Sequence, residues 1–358
     1  MGGAERMACF LADKWTEAGH VVAILTLDGP HKPYFSLDSR VILVSLGLSG
    51  ESRNLRDVVV NFRKRLTGVR QWLAVNDCDV AIGFGGACLA LVSLATLGLP
   101  TRSIAYEQTD PLFTERDLGP LKRAIHRMAL RFANAIVVQS RAAREVLDPA
   151  LYSRTHIIPN PVKPIGRRAM PSVPDSTGRF HVIALGRLDA VKGFDVLLHA
   201  WSRVQAALPD WTLVIYGEGE QRERLELIVA EEGLQRRALL PGSTDQVDRC
   251  LADANLFVLS SRTEGFPNAL CEAMAAGLPV ITTDCRCGPA EIVTPERDGI
   301  VVPVDDVHAL SNAILRLASN PERLAEMGSA ASAIVQRFES KKVLQLWNDL
   351  FVDLHASR

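Results

Sequence analysis

No part of this 358-residue chain is apolar for long enough to cross a bilayer. The longest nearly apolar run, Ala87 to Pro100, has 14 residues, against about 20 for a spanning helix. The opening Met1-Gly2-Gly3-Ala4-Glu5-Arg6 lacks the basic-then-apolar order of a secretory signal, so a cytoplasmic location is expected. Aromatic residues are sparse at 6%, yet 47% of the chain is hydrophobic, which excludes a disordered or collagen-like protein. The seven cysteines, at 9, 78, 88, 250, 271, 285 and 287, are odd in number and scattered; they read as reduced thiols, not a disulfide framework. Net charge is almost absent at -1, but it is unevenly divided. Residues 1–166 hold 20 Lys+Arg against 15 Asp+Glu, net +5, and residues 167–358 hold 20 against 26, net -6. The first half is therefore the one suited to an anionic surface. No nucleic-acid partner is expected. No Gly-x-Gly-x-x-Gly follows a strand with an acidic residue about 20 positions later, so a dinucleotide dehydrogenase has no support.

The length is too great for one ordinary core and suits two domains. Strands are expected at Val21–Leu27, Val41–Leu46, Val80–Gly83, Arg102–Tyr106, Ala135–Gln139 and His156–Ile158. Helical stretches alternate with them, as in 55–75, where Val58, Phe62, Leu66, Val69 and Leu73 share one face. That alternation predicts parallel strands with crossover helices. Prolines 161, 164, 171 and 174 mark a linker. Six further strands follow, at Phe180–Leu185, Thr212–Tyr216, Ala238–Leu240, Leu256–Ser260, Val280–Thr283 and Ile300–Val302. The expected class is α/β, with two doubly wound domains facing a cleft, over 1–165 and 166–338. A last amphipathic helix in 339–358 has an apolar face (Val343, Leu344, Trp347, Leu350, Phe351) that suits packing on the first domain.

The densest chemistry lies between Ser260 and Val280. A strand ends near Ser261, Gly265 permits a tight turn, and Pro267 suits the first turn of a helix stopping at Gly277. The N–H groups from Phe266 through Pro267, Asn268 and Ala269 to Leu270 would face a phosphate without a metal. Glu264 before that helix and Glu272 within it flank the anion site, one placed for sugar hydroxyls and one for a ribose diol. Simple capping and solvation of the helix is the alternative. Upstream, Gly186-Arg187 and Lys192-Gly193 present two cations five residues apart after a strand, suited to a leaving diphosphate or else merely solvated. Asp77-Cys78-Asp79 reads as a turn, and Cys285-x-Cys287 lacks the further ligands of a zinc site.

Glutamates eight apart around Gly-Phe-Pro-Asn-Ala-Leu resemble the E-x7-E motif of the retaining GT-B glycosyltransferases of family four. The resemblance implies that Arg187 and Lys192, after Gly186, neutralise the phosphates of UDP while Glu264 serves catalysis. It assigns Glu272, Gly265, Phe266, Pro267, Asn268, Ala269, Leu270 and Gly217 to donor binding. Gly2 and Gly3 resemble the family's glycine turn between its first strand and first helix. Glu107-Gln108-Thr109-Asp110-Pro111 resembles a cleft segment, although a plain Asx turn at Asp110 fits equally. Thr283 to Ile292 is similar to a subgroup that builds capsules, O-antigens and lipid-linked oligosaccharides, and Pro159-Asn160-Pro161-Val162 to the interdomain junction. Two departures stand out: no histidine lies in 107–111, and no strand precedes the glycine turn, which points to a missing upstream segment.

The expectation is a metal-independent hexosyltransferase, needing no cofactor, that moves a hexose or N-acetylhexosamine from a UDP-sugar to a lipid-linked glycan. A UDP-sugar epimerase of the same fold, or an idle nucleotide-sugar-binding protein, are the alternatives. Residues 118–134 carry Lys122, Arg123, His126, Arg127 and Arg131 beside Leu121, Ile125, Met128, Ala129 and Phe132. Such a helix suits an anionic membrane leaflet, or equally a solvated face over the core.

Overall fold

The structure, a computed structural model, describes residues 3–29, 36–50, 54–113 and 119–356. The chain forms two compact units, one of residues up to Ile158 together with Leu344 onward, the other Pro159–Val343. All twelve expected strands are present, and every pairing among them is parallel.

In the first unit β1 (Ala23–Thr26) pairs with β2 (Ile42–Ser45), and β3 (Val80–Phe84), β4 (Arg102–Tyr106), β5 (Ala135–Val138) and β6 (Thr155–Ile157) form a separate sheet in that order. The principal helices are α1 (Gly3–Glu17), α2 (Leu55–Val75), α3 (Gly86–Ala95) and α4 (Pro120–Phe132). Asn54 starts α2 by accepting the Asp57 N–H at 2.9 Å, a side-chain cap for an otherwise orphaned donor. Val69 and Leu73 then bury against Ala81 and Ala95. Gly2 lies outside the described residues, and Gly3 is the first residue of α1.

The second unit is one six-stranded sheet in the order β12-β11-β10-β7-β8-β9. Its strands are β7 (Phe180–Leu185), β8 (Trp211–Tyr216), β9 (Ala238–Gly242), β10 (Leu256–Leu259), β11 (Val280–Thr283) and β12 (Gly299–Val302). Helices cover both faces: α5 (Phe194–Val204) and α7 (Val307–Ala318) contribute to the core around Trp201, and α6 (Asn268–Ala275) to the core around Phe257. Strand order reverses between β7 and β10, and in such sheets ligands bind beyond the carboxyl ends of the strands at the reversal. In the first unit, among the described residues, β1 and β3 have no ladder between them.

The last helix, α8 (Ser340–Ala356), leaves the second unit and completes the first. Trp347 is fully buried there, with its ring 5.5 Å from Trp15 and 5.3 Å from Tyr106. The proline segment expected to be a free linker is instead a strap on the second unit. Val162 N–H donates to Phe338 O, Ala169 N–H to Ala276 O, and Asn255 Nδ2 serves the carbonyls of Met170, Pro171 and Val173. Proline removes donors but keeps acceptors, so a buried asparagine amide can tie such a segment down. The boundary accordingly falls at Ile158/Pro159, ahead of the expected 165/166.

Candidate active site

Three loops meet beyond the carboxyl ends of β7, β8 and β10, and glycines let their backbones touch. A Cβ on Gly193 (φ +62°) would lie 2.2 Å from Ser260 O, and one on Gly217 (φ +153°) 1.8 Å from Gly186 O. Only residues without side chains fit these crossings. The loop after β7 is then fixed by its own side chains. Asp189 Oδ1 accepts the N–H groups of Val191 (3.1 Å) and Lys192 (3.2 Å), and its Oδ2 takes Arg187 Nε at 2.7 Å. Arg187 is otherwise turned to solvent, 76% exposed.

Lys192 Nζ crosses to the β10 loop and meets Glu264 Oε1 at 2.6 Å. Ser261 Oγ donates to that same oxygen at 2.6 Å. Glu264 is buried, and a cation and a hydroxyl together hold that oxygen in place. Gly186, Lys192 and Glu264, which the motif spacing singled out, and Gly217, which the family resemblance added, are thus brought together. Gly265 leads into Phe266, which is buried against Phe338 at 5.5 Å, edge to face. Pro267 precedes α6, on which Asn268, half-buried Ala269 and fully buried Leu270 form the first turn. Two of the amides expected to face an anion do not do so: Pro267 has no N–H, and that of Asn268 is spent on Phe266 O at 2.9 Å. Ala269 and Leu270 are the amides that helix geometry leaves without intrahelical acceptors. Asn268 Oδ1 accepts from Asn160 Nδ2 at 2.9 Å, so the junction segment props the start of α6. Glu272 lies half-buried a turn inside α6.

The Cys285–Cys287 loop backs this site. Gly288 lies against Pro267. Burial pushes the Cys285 thiol up to about 12, with the Glu264 charge adding to it, so the free thiol stays protonated at neutral pH.

Glu107 stands in the first unit. Its side chain is fully buried: Oε2 meets His126 Nε2 at 2.8 Å, and Oε1 accepts Thr109 Oγ1 at 2.7 Å. The partner of Glu107 is thus a buried histidine of α4. Nothing in the spacing of 107 and 126 signals this pairing. Asp110 Oδ1 accepts the Leu112 N–H at 3.0 Å, the Asx turn weighed above. Asp77, with φ +42°, turns the chain between α2 and β3. Sequence reading also gave no role to Ser261, Asp189, Asp195 or Arg262; Asp189, three residues before Lys192, carried the one readable signal, that of a turn cap.

Residues 168–333 match the family of glycosyl transferases group 1, and residues 1–164 match glycosyltransferase family 4. The chain belongs to the family-four glycosyltransferases, and its fold is GT-B, with two Rossmann-like domains. An uncharacterized glycosyltransferase of Haemophilus influenzae is 24% identical, the match covering 98% of this chain and 96% of that one. The lipopolysaccharide core biosynthesis glycosyltransferase LpsD of Rhizobium meliloti is 31% identical over 53% of this chain and 54% of its own. Several other curated relatives are matched over less than half their length. Among solved structures, HepE of Anabaena in complex with UDP and glucose has a TM-score of 0.77 at 17% identity, over 98% of this chain and 96% of that one.

Proposed function

We propose that the chain transfers a hexose or N-acetylhexosamine from a UDP-sugar to a glycan acceptor carried on a lipid, with retention of anomeric configuration. The observation that carries this reading is the Lys192–Glu264 pair, held at the reversal of strand order in the second unit. A diphosphate entering there meets Lys192, the exposed guanidinium of Arg187 and the first amides of α6. These groups neutralise the charge that grows on UDP as the glycosidic bond breaks, which is the role a metal fills in other transferases. Glu264 Oε2 accepts a sugar hydroxyl, and Glu272 the ribose diol. With leaving group and acceptor on one face of the sugar, the departing phosphate oxygen takes the acceptor's proton, so no separate protein base is required. Relatives named for lipopolysaccharide core and for polyol-phosphate glycosylation support the acceptor class.

Turnover of a panel of UDP-sugars, with the product's anomeric configuration read by NMR, tests the reading. Glu264→Gln and Lys192→Ala should each lower transfer about 10²–10³-fold while remaining folded, and EDTA should leave the wild type active. Near-normal turnover by both variants, or activity restored only by Mn²⁺, overturns it. Conversion of the donor into its epimer, with no transfer, would instead favour an epimerase.

A further inference from the structure

Arg262 stands two residues before Glu264, at the carboxyl end of β10, and its guanidinium is spent on other segments of the site. Its Nη1 and Nη2 form a fork on Asp195, at 3.0 Å to Oδ1 and 3.0 Å to Oδ2. Nη1 also donates to Ala190 O, Nε to Asp305 Oδ1 at 2.7 Å, and the backbone N–H to Val191 O at 2.7 Å. Asp195 is the second residue of α5, directly after the loop that presents Lys192. Asp305 lies between β12 and α7 and adopts φ +59°. One side chain therefore joins the loops after β7, β10 and β12.

We propose that Arg262 is a positioning residue for sugar transfer, setting where Lys192 stands relative to Glu264. The segment 190–192 is gripped from both sides, by the Asp189 cap within the loop and by Arg262 from the neighbouring strand. Ser260 Oγ adds a bond to Lys192 O at 2.9 Å. Glu264 descends from the same strand end as Arg262, so the clamp and the Lys192–Glu264 contact close one ring of interactions. Lysine cannot replace the clamp, since a point charge cannot hold two carboxylate oxygens and a carbonyl at once. Misplacement of a reacting arrangement by about 1 Å costs on the order of 10²-fold in rate. The pair is ionised at neutral pH: burial pulls the Asp195 carboxyl upward, but the Arg262 fork outweighs it and holds the group below its ordinary value.

The inference rests on the donor-site reading above, and its test has an arm that does not. Arg262→Gln and Arg262→Lys should lower kcat for UDP-sugar about 10–100-fold with donor KM changed less than about threefold, and the lysine variant should not recover kcat even where it recovers the melting temperature. Asp195→Asn should cause a similar loss, and the double variant no more than either alone. Amide hydrogen exchange, measured without any donor, should quicken in 189–193 in these variants while β8 keeps its protection. A wild type that turns over no UDP-sugar would sink the proposed function and leave the exchange arm to decide the clamp. Unchanged exchange in 189–193, kcat within twofold of wild type, or a kcat loss that merely tracks the unfolded fraction would overturn it.

Discussion

Asp195 shows how one residue ties stability to the site. Its carboxyl is depressed by the Arg262 fork despite partial burial, so its contribution is complete above the ordinary carboxylate value of about 3.9. That contribution is lost as pH falls through the lower folded value. Wild-type melting temperature should therefore fall as pH drops below about 4. Asp195→Asn should start lower and fall less; parallel curves for the two proteins would show that the fork contributes nothing to acid sensitivity. Local sequence made Gly186, Lys192 and Glu264 legible, because glycines, a cation and a carboxylate at fixed spacing after strands stand out along the chain, whereas Gly217 was legible only through the family resemblance. The contacts of Arg262 and His126 were not legible. Asp195 lies 67 residues from Arg262, and Glu107 19 from His126, and no spacing rule links residues joined only where a helix meets the loop after a strand.

At the level of elements, the parallel strands were readable throughout, because runs of Val, Ile and Leu separated by helical periods admit few other arrangements. The division of the first unit into two sheets was not, since each strand's own residues are silent about its neighbours. The helix α4 is a different case. His126, Ala129 and Leu130 bury one side, while Leu121, Met128 and Phe132 are 41%, 45% and 43% exposed beside exposed Lys122, Arg127 and Arg131. Large apolar groups among cations are costly to leave in water and match an anionic lipid surface. No described helix is long and apolar enough to cross a membrane, so any such contact through α4 is peripheral. In flotation with vesicles rich in phosphatidylglycerol, the wild type should bind at low salt and be released by about 0.5 M salt. A variant with Lys122, Arg127 and Arg131 changed to Gln should stay unbound, and equal binding by both would remove α4 from consideration.

Across the whole molecule, the path of the chain matters more than either sheet. The second unit is an insertion within the first, entered at Pro159 and left at Val343. Trp347 of α8 fills the space between Trp15 and Tyr106, a large aromatic whose removal from a core costs about 3–5 kcal/mol. Trp347→Ala should therefore lower the unfolding transition of the first unit, followed by scanning calorimetry, and leave that of the second in place. A single transition shifted as a block would mean that the units unfold together. During synthesis the same plug is made after every residue of the second unit. A first unit that closes around Trp347 can therefore close only once the whole chain of the second unit has been made.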